Sequence, residues 1–296
     1  MKLTYDAPVY RPPSEARSLI IQATIGCSFD GCTFCSMYKS KDYRARPLEA
    51  VFADIATAAR FWPEARRVFL ADGDAVVLPT ADLVAILDRL AGTFPRLERV
   101  SAYATPMALN AKPMEDLARL RDKGLSLVYL GIESGSASIL KRIRKGATPA
   151  TMARALDAAR GAGLAVSATV ILGLGGRRLW TEHVDATADL INRAPPTFLS
   201  TLQLRLDADV RDDFLSRFSR DGVPFEEQDD AGILAEQERL LAALDPPAPV
   251  IFRSNHASNC LALAGTLPDD RAALLALIAA ARAGAPLLRP QSLRGL

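Results

Sequence analysis

Leu19-Ile20-Ile21-Gln22-Ala23-Thr24-Ile25-Gly26-Cys27-Ser28-Phe29-Asp30-Gly31-Cys32-Thr33-Phe34-Cys35 runs from a short β-branched strand into a loop that holds three of the chain's four cysteines. Packing does not call for such a cluster, because a buried cysteine usually sits alone among apolar neighbours. Thiolates this close together require a shared positive charge, a metal ion or an iron–sulfur cluster. The fourth cysteine, Cys260, lies far along the chain, so the local set is three. A four-iron cluster on three thiolates keeps one iron open for a further ligand. Structural zinc ordinarily takes four protein ligands, and the only histidines, His183 and His256, are remote from the triad. The C-x4-C-x2-C spacing also occurs in plant-type two-iron ferredoxins, where Cys260 would have to be the fourth ligand. Disulfides are disfavoured, since the chain shows no apolar export segment at its start. A reduced cluster in the cytoplasm is the expectation.

The triad sits within a regular alternation. After the strand at Leu19–Thr24 and the cysteine loop, Pro47 precedes a helix with Leu48, Val51, Phe52 and Ile55 on one face. Further strands are expected at Val68–Ala71, Arg99–Tyr103, Leu125–Ile132, Ala165–Leu172, Phe198–Leu204 and Val250–Phe252, with amphipathic helices between them. Continuous apolar strands separated by helices imply a parallel sheet covered by helices. The expected fold is α/β, a partial or nearly closed (β/α) barrel of about six to seven parallel strands. One domain is expected over residues 1–296, with a core over about 19–176 and a substrate-side completion over about 177–296.

The unusual residues gather at the carboxyl ends of these strands. The cysteines follow the first, Asp72-Gly73-Asp74 the second, and Ser101 and Tyr103 end the third. Glu133 ends the fourth, Gly173-Leu174-Gly175-Gly176 follows the fifth, Gln203 and Arg205 end the sixth, and Arg253-Ser254-Asn255-His256 follows the seventh. In a barrel these ends converge on one mouth, where catalytic residues collect. That pattern predicts an enzyme.

The cysteine loop with aromatic Phe34, the stretch Tyr129-Leu130-Gly131-Ile132-Glu133-Ser134-Gly135-Ser136, and Val170-Ile171-Leu172-Gly173-Leu174-Gly175-Gly176 together resemble the radical S-adenosylmethionine (radical SAM) superfamily. The branch they resemble includes elongator-type proteins, methylthiotransferases and anaerobic coproporphyrinogen oxidases. The likeness runs from about Leu19 to Gly176. The usual family spacing is C-x3-C-x2-C, and here one residue is inserted between Cys27 and Cys32.

The resemblance implies a 4Fe–4S cluster on Cys27, Cys32 and Cys35, with S-adenosylmethionine chelating the open iron. It implies reductive cleavage of that cofactor to methionine and a 5′-deoxyadenosyl radical, which abstracts hydrogen from substrate. Cofactor-binding candidates, from this resemblance and from places at the strand ends or close behind the cluster, are Phe34, Tyr38, Asp72, Gly73, Asp74, Ser101, Glu133, Arg142 and Gly173. Glu133 could instead be a partner for Lys141 or Arg144. Arg142 is drawn from a charge run, Lys141-Arg142-Ile143-Arg144-Lys145, that ordinarily forms a solvated face. His256 and Cys260 are the catalytic candidates, for proton transfer and hydrogen-atom donation, with a capped turn and a buried cysteine as the alternative. His183, among Glu182 and Asp185, is expected at the surface, and the last dozen residues are expected to fray.

A net charge of +2 offers no footprint for nucleic acid, and no apolar run approaches the roughly 18 residues of a membrane span. The expected partners are a small organic substrate and a one-electron reductant such as flavodoxin or ferredoxin. An iron–sulfur electron carrier without cofactor cleavage and a zinc-stapled binding module are the alternatives from other classes.

Overall fold

The computed structural model describes residues 3–295. In chain order the strands are β1 (Leu19–Gln22), β2 (Thr24–Ile25), β3 (Arg44–Ala45), β4 (Arg67–Ala71), β5 (Arg99–Ala104), β6 (Leu125–Glu133), β7 (Ala165–Leu172), β8 (Phe198–Gln203), β9 (Val250–Ser254) and β10 (Leu263–Leu267). The helices are α1 (Leu48–Phe61), α2 (Thr80–Thr93), α3 (Pro106–Ala111), α4 (Met114–Asp122), α5 (Ala137–Arg142), α6 (Pro149–Gly161), α7 (Gly176–Arg193), α8 (Ala208–Phe218), α9 (Asp230–Ala243) and α10 (Arg271–Arg282). Eight strands form one sheet in the order β1-β4-β5-β6-β7-β8-β9-β10. With its flanking helices this is a partial (β/α) barrel. No helix among the described residues is long and apolar enough to cross a membrane.

Backbone packing separates two compact units. The first runs to Asp30 and adds Met37–Leu130 and Asp157–Val166; the second comprises Gly31–Ser36, Gly131–Leu156 and the chain from Ser167 onward. In the first unit β1 pairs with β4, β4 with β5 and β5 with β6, all parallel. Val68, Phe69, Leu70 and Ala71 are wholly buried, as a strand covered on both faces requires. Phe69, Tyr103 and Tyr129 meet edge to face, with ring centroids 5.1–6.0 Å apart. The Tyr129 hydroxyl reaches buried Glu15 at 2.6 Å, and Arg99 pairs with the same carboxylate at 2.7 Å. The small antiparallel ladder of β2 on β3, Thr24 opposite Ala45 and Ile25 opposite Arg44, closes the base of the segment that carries the cysteines.

In the second unit β7 pairs with β8 and β8 with β9 in parallel, whereas β10 returns antiparallel along β9. This eighth strand lies beyond the seven expected from the alternation. An antiparallel partner needs no crossover helix, so no helix separates Leu263–Leu267 from β9, and Gly265 interrupts its apolar run. Side-chain caps set the starts of several helices. Thr105 accepts from Ala108 N at α3, Ser136 from Ile139 N at α5 and Asp229 from Gly232 N at α9. The described part of the C-terminal segment, to Gly295, is tied down and not frayed, and Leu296 lies outside the described residues. Arg289 N donates to Cys260 O at 2.8 Å, and the Arg294 guanidinium forks onto Asp230 at 2.6 and 2.7 Å.

Candidate functional site

In the first unit the turn after β4 packs on the start of the cysteine loop. Asp72 is fully buried and pairs with Lys41 at 2.8 Å. It also accepts from Gly26 N at 3.1 Å and from the Gln22 amide, so its oxygens are committed to fixing the chain just before Cys27. Asp74 is equally buried and accepts from Ser28 Oγ at 2.6 Å and Thr105 Oγ1 at 2.8 Å. Burial pushes its carboxyl upward against these hydrogen bonds. Gly73 N donates to Gly26 O at 3.0 Å. A Cβ at Gly73 would stand 2.8 Å from both Cys27 Cβ and Tyr38 Cε2, closer than real side chains approach. The glycine therefore lets backbone run directly beside Cys27. Tyr38 is buried at this point, edge to face with Tyr10 at 5.5 Å. Ser101 lies within β5, not at its end, fully buried with Oγ toward Val68 O at 3.5 Å.

In the second unit the rest of the loop is anchored at Thr33, whose N–H donates to Ile143 O at 3.0 Å, just past α5. Cys32 is buried, Phe34 and Cys35 are half-buried, and none of the four cysteines is in a disulfide. Glu133 closes β6 with φ +64°, in the left-handed region that a non-glycine residue adopts only where its surroundings hold it. Its carboxylate meets Lys145 Nζ at 2.8 Å, so its partner is Lys145 and neither Lys141 nor Arg144. Burial pushes Lys145 down, but the negative charge of the Glu133 carboxylate and of the Cys32 and Cys35 thiolates outweighs it and holds the ammonium charged. One fixed cation thus answers a carboxylate and two cysteine sulfurs. A Cβ at Gly131 would fall 2.0 Å from Glu133 Oε1, so this pair has room only beside a glycine.

Arg142 points elsewhere. Its guanidinium donates to Phe218 O, lies 5.4 Å over the Phe218 ring and stands 3.5 Å from Asp221. It is the last residue of α5, whereas Lys145 lies beyond the helix, so the two do not share a helical face.

His183 is not a surface residue. It is 1% exposed, because α7 turns this position onto the sheet. Its Nε2 donates to Ile171 O at 3.0 Å, and Nδ1 accepts from Ser134 Oγ at 2.8 Å. Nε2 also stands 3.3 Å from Glu236 Oε1. Glu236, from α9, accepts from Gly173 N at 2.9 Å and from the Gln228 amide. Gly173 has φ +81°, which suits glycine at this turn. Burial pushes Glu236 up to about 8 and His183 down to about 4, so both are neutral at pH 7 and their contact is no ion pair. The network joins the segment after Glu133 to the turn after β7. Only the fold reveals it, since Glu236 carries no motif.

Its pH signature follows from the two directions. Folded protein keeps the Glu236 proton to about pH 8, whereas an ordinary glutamate loses it near 4.5, so stability falls as pH rises through that window. His183 acts oppositely, lowering stability as pH drops from 6.5 toward 4. Above pH 6.5 only Glu236 contributes. Glu236→Gln is expected to flatten the decline between pH 6.5 and 8 by about 2 kcal/mol, read from urea midpoints. An unchanged slope would show Glu236 ionised throughout.

The segment after β9 is built around Asn259, which the sequence does not single out. Its amide donates to Thr201 O at 2.7 Å and Ser254 Oγ at 2.9 Å, while Oδ1 accepts from Gln203 N at 2.7 Å. His256 Nδ1 accepts from Ser258 N at 3.2 Å and contacts Ser258 Oγ at 2.8 Å. Burial and the Arg289 guanidinium push the His256 imidazole down. Cys260 is 1% exposed, and burial pushes its thiol up.

Among the described residues no three His, Cys, Asp or Glu side chains are drawn together as a site for a metal ion. The donor chemistry nevertheless suits an iron–sulfur cluster, which takes thiolates and holds them farther apart than one ion does. The cation beside Cys32 and Cys35 favours the thiolate form that such ligation needs.

The family model described as "Radical SAM superfamily" matches residues 21–191. Among solved structures, coproporphyrinogen III oxidase from Escherichia coli superposes with a TM-score of 0.59 at 17% identity, over 76% of this chain and 52% of that one. Methylornithine synthase gives 0.53 at 12% identity, over 88% and 68%. The radical S-adenosylmethionine methyltransferase from Kitasatospora setae, with cobalamin and a [4Fe-4S] cluster bound, gives 0.50 at 20% identity, over 64% of this chain but only 37% of that one. These identities show likeness of fold alone. No curated protein matches the chain. With the family match spanning the cysteine loop, Glu133 and the glycine turn, the chain belongs to the radical SAM superfamily of enzymes, whose cofactors are a 4Fe–4S cluster and S-adenosylmethionine.

Proposed function

We propose that the protein cleaves S-adenosylmethionine reductively and abstracts hydrogen from a small organic substrate. The family match over residues 21–191 carries this reading. The cluster, when bound, supplies the electron that splits the cofactor into methionine and a 5′-deoxyadenosyl radical. Cys27, Cys32 and Cys35 are its ligands in this proposal. The chain's own residues bind, orient and shield. Lys145 keeps a positive charge beside two of the cysteines, and Glu133 offers a carboxylate to an ammonium or ribose hydroxyl. Lys145 takes the place first given to Arg142, whose guanidinium is held at Phe218. Asp72 and Asp74 support the backbone of the loop, with Gly73 making the close approach. Phe34, Tyr38, Ser101 and Gly173 complete the proposed cofactor surroundings. His256 is the proposed proton-transfer residue, and buried Cys260 the hydrogen-atom donor. The electron comes from a flavodoxin or ferredoxin, in the cytoplasm.

The test is anaerobic reconstitution with iron and sulfide, followed by S-adenosylmethionine and dithionite. Formation of 5′-deoxyadenosine and methionine in equal amounts is the expected result. A protein that holds iron yet releases neither would be an electron carrier, and one that takes up zinc instead would be a stapled binding module.

A further inference from the structure

The run Lys141-Arg142-Ile143-Arg144 has a counterpart from another element. With Arg217 and Arg220, from the end of α8 and just past it, Lys141, Arg142 and Arg144 line a cavity of about 210 Å³ that contains a single carboxylate, Asp221. Five cations against one acid is a local excess in a chain whose net charge is only +2. Two of the cations are engaged, Arg142 with Asp221 at 3.5 Å and Arg217 with Asp213 at 2.5 Å. Lys141, Arg144 and Arg220 are exposed and make no ion pair among the described residues. Attraction to a helix C-terminus accounts for Lys141, Arg142 and Arg217. Arg144 and Arg220 lie beyond the helix ends and have no such reason to be there.

The groove borders the cysteine loop. Ile143, between Arg142 and Arg144, accepts the Thr33 N–H at 3.0 Å, and Thr33 lies between Cys32 and Cys35. Its floor does not suit a small anion. Two helices end there, so the backbone presents carbonyls and not N–H groups, and Arg142 is already bound to the Phe218 carbonyl. The free charge stands on the rim, spread over two elements. Such a rim steers and orients an acidic protein face.

We propose that this basic groove between the ends of α5 and α8 docks an acidic flavin-bearing electron-carrier protein, which reduces the cluster from that side. The step moves one electron and no atoms. The carrier's flavin passes from hydroquinone to semiquinone, and the cluster is reduced by one electron. The inference rests on the radical SAM reading above, and the test separates the two.

The triple variant Lys141→Glu/Arg144→Glu/Arg220→Glu is compared with wild type in two measurements. The first is affinity for flavodoxin, measured by titration without S-adenosylmethionine. Wild-type affinity is expected to fall as ionic strength rises from about 0.01 to 0.15 M and the Debye length shrinks from about 30 to 8 Å. The variant is expected to bind at least about tenfold more weakly at low salt and to lose most of the salt dependence. The second is S-adenosylmethionine cleavage driven by reduced flavodoxin or by dithionite. The variant should lose about tenfold with flavodoxin below saturation and nothing with dithionite, a small reductant that needs no docking face. Equal flavodoxin affinity in both proteins would overturn the proposal, as would a wild-type groove that binds an RNA oligonucleotide and not flavodoxin. Failure of wild type to cleave with dithionite would overturn the radical SAM reading instead, while the affinity measurement still decides the docking face.

Discussion

Replacing Cys27, Cys32 or Cys35 by alanine is expected to abolish the brown 4Fe–4S chromophore after anaerobic reconstitution, whereas Cys260→Ala should retain it. Each thiolate of the triad supplies charge that the iron needs, and the loop contains no fourth cysteine to take over. Cys260 differs in its surroundings. It is buried, its thiol is pushed upward by burial, and it sits where Arg289 and Gln203 bond the backbone of its turn. Its loss removes packing and should lower the melting temperature slightly without removing iron. The measurement is iron and sulfide content together with visible absorbance, on all four variants. A triad variant that keeps a full cluster would remove that cysteine from the ligand set. Stoichiometric zinc without iron in the wild type would defeat the cluster itself.

Glu133→Ala is expected to weaken S-adenosylmethionine binding by one to two decades while leaving the cluster chromophore in place. One lost charge-assisted hydrogen bond costs about 1.5–3 kcal/mol, which corresponds to roughly ten- to a hundredfold in affinity. A second consequence is structural. Removing the carboxylate strands the Lys145 ammonium at 13% side-chain exposure, and an uncompensated charge is destabilising. Glu133→Gln separates the two effects, because the amide still accepts from Lys145 but offers the cofactor no charge. Calorimetry on both variants with the cluster in place is the measurement. Unchanged affinity in both would place the cofactor away from β6, and the Glu133–Lys145 pair would then serve the fold alone.

The parallel strands were legible because each is a short apolar run followed by an amphipathic helix, and burial on both faces leaves that mark. Ala165–Leu172 is the same strand in the sequence reading and in the structure. The cysteine triad was legible for a similar reason, since its spacing is chemistry written in consecutive residues. Contacts between distant segments leave no such trace. Nothing local to His183, which sits among Glu182 and Asp185, marks it as buried; its place depends on how α7 turns over the sheet and on α9 bringing in Glu236 from far along the chain. Glu133 was singled out by its position at a strand end, but the choice of Lys145 over Lys141 or Arg144 as partner depended on where α5 stops. That helix ends at Arg142, and Arg144 turns the backbone left-handed at φ +53°, which carries Lys145 back toward Glu133. Sequence by itself determined the kind of chemistry and the alternation of strands and helices, because both are encoded in residue type at short range. Tertiary structure alone decided which charges meet, because a partner for a buried charge is selected by packing across the fold, at separations no local pattern records.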